Sequence, residues 1–182
     1  MKKIIFLLGF VLAGQLLLAQ SKPPELDKSP LDVCYYPANY PELKMRRQVK
    51  GDPSARILYS RPQKKGRNIF GEEITYNEIW RLGANEATEI ELFKNATIAG
   101  KKVPKGRYTL YCIPTEKTWT LVLNKDNYSW GSFVYKSEYD VARFDVPVKK
   151  NKEITESFTM YFDNSSLNIL WDDLKVEVPV NF

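Results

Sequence analysis

Apolar and polar residues alternate with a period of two along most of the chain beyond residue 44. Thr88, Ile90 and Leu92 alternate with Glu89 and Glu91, the pattern of a half-buried strand. Arg107 to Ile113 and Thr118 to Leu123 flank Pro114-Thr115-Glu116-Lys117, which predicts a hairpin with Tyr108, Leu110 and Cys112 on one face. Ala142, Phe144, Val146 and Val148 share a face. The same pattern recurs in Phe158, Met160 and Phe162, in Leu167, Ile169 and Trp171, and in Val176, Val178 and Val180. Ala55 to Ser60 reads as a further strand, Lys44 to Lys50 as a weaker one, and Asn95 to Lys102 as a short strand turning at Gly100. Gly51-Asp52-Pro53 and Pro104-Lys105-Gly106 mark turns. Roughly eight to ten short strands at regular spacing predict an all-β fold, an antiparallel β-sandwich or barrel-like domain.

One stretch departs from this pattern. Tyr59 to Thr88 reads YSRPQKKGRNIFGEEITYNEIWRLGANEAT. Thr75-Tyr76-Asn77-Glu78 fits a capping box and Gly83 fits a helix stop, so one short helix is expected near Tyr76 to Leu82. Arg61, Arg67 and Arg81 lie in the same stretch. Arginine presents a rigid fork of donors suited to carboxylate and phosphate. Such a fork serves a ligand site, or it braces a loop by pairing with Glu86 or with loop carbonyls.

The run SRP, then GRNIFG, then WRLGANEAT resembles a family of bacterial proteins known as the DUF2911 domain family. The later segments KGRYTLYCIP, WTLVLNKD and WGSFVY resemble it in the same order. The resemblance covers about Pro30 to Phe182. It implies an exported β-rich fold, and it assigns neither an activity nor catalytic residues.

Residues 1–19 read as a secretory signal: Lys2 and Lys3, an apolar run from Ile4 to Leu18, and Ala19 at the cleavage site. The run is shorter than the ~20 residues of a membrane span. Export to the periplasm or the outer surface is therefore expected, with no transmembrane anchor after cleavage. Residues 20–30 are polar and proline-rich and read as a disordered tether, which leaves 31–182 as a single β-rich domain. Leu31 to Tyr40 is expected to pack on that domain, with Pro37 and Pro41 opposing regular structure.

The formal net charge is +5, and Lys2 and Lys3 supply two of those charges. The interspersed signs do not predict a nucleic-acid partner. The sequence contains no histidine, which excludes Ser-His-Asp and Cys-His catalysis and histidine-bound zinc. Cys34 and Cys112 are its two cysteines, read either as a disulfide or as two small buried residues. Gly66 to Gly71 has the glycine spacing of a P-loop, but Glu72-Glu73 stands where Lys-Ser/Thr is required. Asn124 to Asn127 lacks the glycine and the distal glutamate of a calcium loop. No cofactor and no metal are expected.

The best reading is a non-catalytic binding module for a small polar or anionic ligand, a glycan or a carboxylate. Arg61, Arg67, Arg81, Asn85 and Glu86 would form its polar floor, with Trp80 or Trp130 as its wall. An enzyme using Glu86 beside Arg81 is the first alternative. A structural or assembly protein that meets a cell-envelope partner is the second. Glu89 and Glu91 are most simply a solvated strand face.

Overall fold

A computed structural model describes residues 23–182; the expected signal lies outside the described residues. Nine strands form an antiparallel sheet. In chain order they are β1 Leu31–Tyr36, β2 Ala55–Ser60, β3 Glu89–Leu92, β4 Ala96–Ile98 and β5 Lys101–Val103, then β6 Gly106–Pro114, β7 Thr118–Asn124, β8 Asp140–Phe162 and β9 Ser166–Asn181. Their order across the sheet is β1-β2-β3-β6-β7-β8-β9-β4-β5. The expected hairpin is β6–β7, with Cys112 opposite Leu121. Ala99 and Gly100 make the β4–β5 turn, both at positive φ.

The four apolar runs of the C-terminal half merge into two long strands of 23 and 16 residues. Register shifts between Lys150 and Thr155 bend the pair. Asp172, at φ 55, changes the parity of β9. Leu167, Ile169 and Trp171 are buried before it, and Leu174, Val176 and Val178 after it. A bulge thus keeps both sets inside, which strict alternation would not.

The far half of β8 returns over β2, so the sheet rolls into a barrel-like body. Phe158 meets Tyr59 edge-on at 5.9 Å between ring centroids, and Phe162 meets Tyr36 at 5.7 Å. Side chains bridge this seam where the strand ladder stops. Tyr59 donates its hydroxyl to the Met160 carbonyl at 3.0 Å. Arg61 donates Nε to the Phe158 carbonyl at 3.2 Å and Nη2 to Thr159 Oγ1 at 3.0 Å. The core centres on Phe70, Trp80, Trp119, Phe158 and Trp171.

Three local expectations are corrected. Tyr76 to Leu82 is not a helix. Asn77 and Leu82 have positive φ, at 64 and 57. The Asn77 N–H donates to the Pro114 carbonyl at 2.8 Å, and Trp80 exchanges backbone hydrogen bonds with Cys112 at 2.7 and 2.9 Å. A capping box contributes about 1 kcal/mol. Pairing with the edge of β6 while burying Trp80 and Leu82 outweighs it. Lys44 to Lys50 is not a strand: a helix, α1, spans Tyr40–Met45, with Pro41 in its first turn and a Glu42–Arg46 ion pair of 2.6 Å on its surface. Leu31 to Tyr36 is regular after all, as β1, paired along its whole length with β2.

Cys34 and Cys112 are both free thiols. They lie on β1 and β6, three strand spacings apart across the sheet, or about 14 Å. A disulfide needs Cα atoms within ~7 Å. Burial pushes the Cys34 thiol up from 9.0 to about 12 and holds Cys112 well above its ordinary value. Burial also raises the Tyr59 and Tyr135 hydroxyls from 10.0 to about 12. A raised folded-state pKa gives stability that is full below the ordinary value and lost as pH climbs through the folded value. The melting temperature should therefore fall from about pH 9 towards pH 12. At pH 8 the buried Cys112 thiol should resist a thiol reagent in the folded protein, the half-buried Cys34 thiol should react slowly because its pKa is raised, and both should react together on denaturation. Rapid labelling of Cys112 in the native protein would contradict its burial.

Candidate functional site

The residues singled out in the sequence separate in space. Arg61 is committed to the seam and to Asp32, at 3.0 Å. Arg67 braces its own loop: Nε donates to the Lys64 carbonyl at 3.0 Å, Nη2 to the Gln63 carbonyl at 2.6 Å, and Nη1 pairs with Glu73 at 2.9 Å. Trp80 is 4% exposed and donates Nε1 to the Gly83 carbonyl at 3.2 Å, so it belongs to the core and cannot form a wall. Asn85 donates to Asp27 of the N-terminal lead at 2.8 Å. Glu86 is exposed, and a backbone bridge sets it opposite Trp130, which is 59% exposed.

Arg81 does not pair with Glu86. Its Nε is buried with no acceptor among the described residues. Desolvation lowers its pKa, and no carboxylate offsets this. Removing the charge should relieve that penalty, so Arg81→Met should melt at or above the wild-type temperature in calorimetry. A loss of ~3 kcal/mol or more would reveal a bracing partner.

A second group of residues comes together on the outer face of the sheet. Strand alternation turns Ile57, Ile90 and Tyr108 inward and leaves Arg56, Glu91 and Arg107 outside. Register sets these three side by side, Arg56 opposite Glu91 and Glu91 opposite Arg107. Both arginines pair with Glu91 Oε2, Arg56 Nη2 at 2.6 Å and Arg107 Nη2 at 3.5 Å. The Glu91 carboxylate raises the pKa of Arg107. This row floors a cleft of about 360 Å³ lined also by Leu31, Leu58, Glu86, Ala87, Glu89, Tyr128 and Ser129.

Tyr128 stands over the cleft. Its φ of 64 is a strained conformation for a bulky residue, and contacts at both ends hold it there. Its N–H donates to Glu89 Oε1 at 3.2 Å, and its hydroxyl accepts from Arg107 Nη1 at 2.8 Å. The side chain is nevertheless 78% exposed. Arg56, Leu58, Arg107 and Tyr128 carry no distinguishing signal in the sequence. The usable clue was outward parity on neighbouring strands. It assigns Glu89 and Glu91 to a solvated face until pairing adds an arginine on each side of Glu91.

Among the described residues, no group of three or more cysteine and acidic side chains is placed to hold a metal ion, and no helix is long and apolar enough to cross a membrane. Fold and site together define an all-β protein, an antiparallel rolled sheet with a polar-floored cleft on its outer face. Residues 41–180 match the model of a family described as a protein of unknown function, DUF2911, and the chain belongs to that family. No curated protein and no solved structure matches the chain.

Proposed function

We propose that this is an exported, non-catalytic binding module for a small, uncharged polar ligand of the glycan class. The observation that carries the reading is Tyr128, fixed at both ends with its side chain exposed above the Arg56–Glu91–Arg107 row. A pyranose has an apolar C–H face and a rim of hydroxyls that both donate and accept. The exposed ring and the Leu31, Leu58 and Ala87 side chains suit that face. The paired arginines and glutamates suit the rim. Electrostatics favours a neutral ligand over the carboxylate alternative. Both floor arginines already share Glu91, and three glutamates line the cleft against two arginines. The lysine-led apolar segment at residues 1–19 supports export.

Titration calorimetry with neutral monosaccharides and with acetate and phosphate tests this. One sugar class should bind with a Kd in the micromolar to millimolar range, about −4 to −8 kcal/mol, and both anions should fail. Tyr128→Ala should weaken the sugar at least tenfold without lowering the melting temperature. Tight anion binding that ignores Tyr128→Ala would overturn the reading.

A further inference from the structure

Beyond the cleft, the loop that carries Tyr128 continues with further exposed aromatic side chains on an anchored backbone. Its backbone is stapled to the segment before β3. Ala87 N–H donates to the Ser129 carbonyl at 2.9 Å, and Gly131 N–H to the Asn85 carbonyl at 2.8 Å. Ser132 Oγ donates to the Ile79 carbonyl at 3.1 Å. Despite this anchoring, Tyr128, Trp130 and Phe133 are 78%, 59% and 86% exposed. Gly131 sits at φ 68, and a Cβ there would lie 2.7 Å from Phe133 Cε2. The Phe133 ring therefore rests against the backbone next to Trp130. Large apolar residues on a surface are usually scattered singly, and three on one anchored loop mark a contact surface. This surface is continuous with the cleft, because Glu86 lines the cleft and bridges to Trp130.

Resting on the glycan reading of the cleft, we propose that its ligand is an oligosaccharide chain. The terminal ring occupies the cleft under Tyr128, and Trp130 and then Phe133 stack the rings that follow. Tyr128 and Trp130 are two residues apart and Trp130 and Phe133 three, so their Cα atoms lie within ~7 and ~11 Å, a reach that accommodates successive sugar rings. The anchored backbone removes the cost of ordering the loop on binding, so each added stacking contact contributes to affinity.

The test is calorimetry of the full protein against β-1,4-linked N-acetylglucosamine, β-1,4-linked glucose and β-1,3-linked glucose oligomers of one to six rings. In one series, affinity should rise at least tenfold between one ring and four. Trp130→Ala should bring the four-ring oligomer down to the single-ring affinity. Tyr139→Ala, which removes another exposed aromatic side chain, should leave the rise intact. Affinity independent of length, or a rise that survives Trp130→Ala, overturns the chain proposal while the cleft reading stands. Failure of every series, single rings included, overturns both.

Discussion

Trp80→Ala is expected to lower the unfolding free energy by about 3–5 kcal/mol, the usual range for deleting a buried tryptophan. Four rings surround this side chain. Phe70, Trp119 and Phe158 meet it edge-on at 6.1, 5.7 and 5.5 Å, and Trp171 stacks at 6.1 Å with a 17° interplanar angle. The truncation removes all four contacts and leaves the Gly83 carbonyl without its indole donor. Neighbouring strands hold the walls apart, so the cavity cannot collapse. Urea unfolding should show a lower midpoint with an unchanged m-value. A loss under ~1 kcal/mol would place Trp80 outside the core.

Gly83→Ala is the second severe change, at about 3 kcal/mol or more, combining backbone strain with overpacking. Gly83 has φ 153, and an added Cβ would stand 2.7 Å from Ser60 Oγ and 3.3 Å from the Ser60 carbonyl. The hydroxyl cannot swing aside. It donates to the Ala84 carbonyl at 2.5 Å and accepts from the Ala84 N–H at 2.6 Å. Gly66 is the control: its φ is 72 with nothing within 4 Å of the added atom, so Gly66→Ala should cost only about 1–2 kcal/mol of backbone strain. Adding Ser60→Ala to Gly83→Ala should recover part of the loss, giving a non-additive cycle. Equal losses at Gly83 and Gly66 would contradict the close approach.

The strands were legible where apolar residues alternate up to a turn. β6 and β7 are the clearest case: Tyr108, Leu110 and Cys112 repeat every second residue up to a Pro-Thr-Glu-Lys turn, although Thr109 and Tyr111 on the other face are buried as well. β9 was half legible, since alternation finds both apolar sets and the bulge at Asp172 hides that they form one strand. The helix expected near Tyr76 to Leu82 does not form, for a physical reason. Its capping box acts within four residues, and the β6 edge that overrides it lies some thirty residues away. Arginine forks were legible as forks but not by role. Arg61 and Arg67 find their acceptors in carbonyls of Phe158, Gln63 and Lys64, which sequence cannot assign. The cleft was the least legible part. Its floor exists only once the register sets Arg56, Glu91 and Arg107 side by side on three strands.

The most direct test is amide chemical-shift mapping of the isotope-labelled protein with whichever sugar binds in calorimetry. The predicted result is a contiguous set of shifts at Arg56, Glu89, Glu91, Arg107 and Tyr128, lost in Tyr128→Ala. A separate crevice lined by Asn68, Tyr76, Glu116 and Lys150 is the rival site. Shifts centred there, with the Tyr128 region silent, would contradict the account.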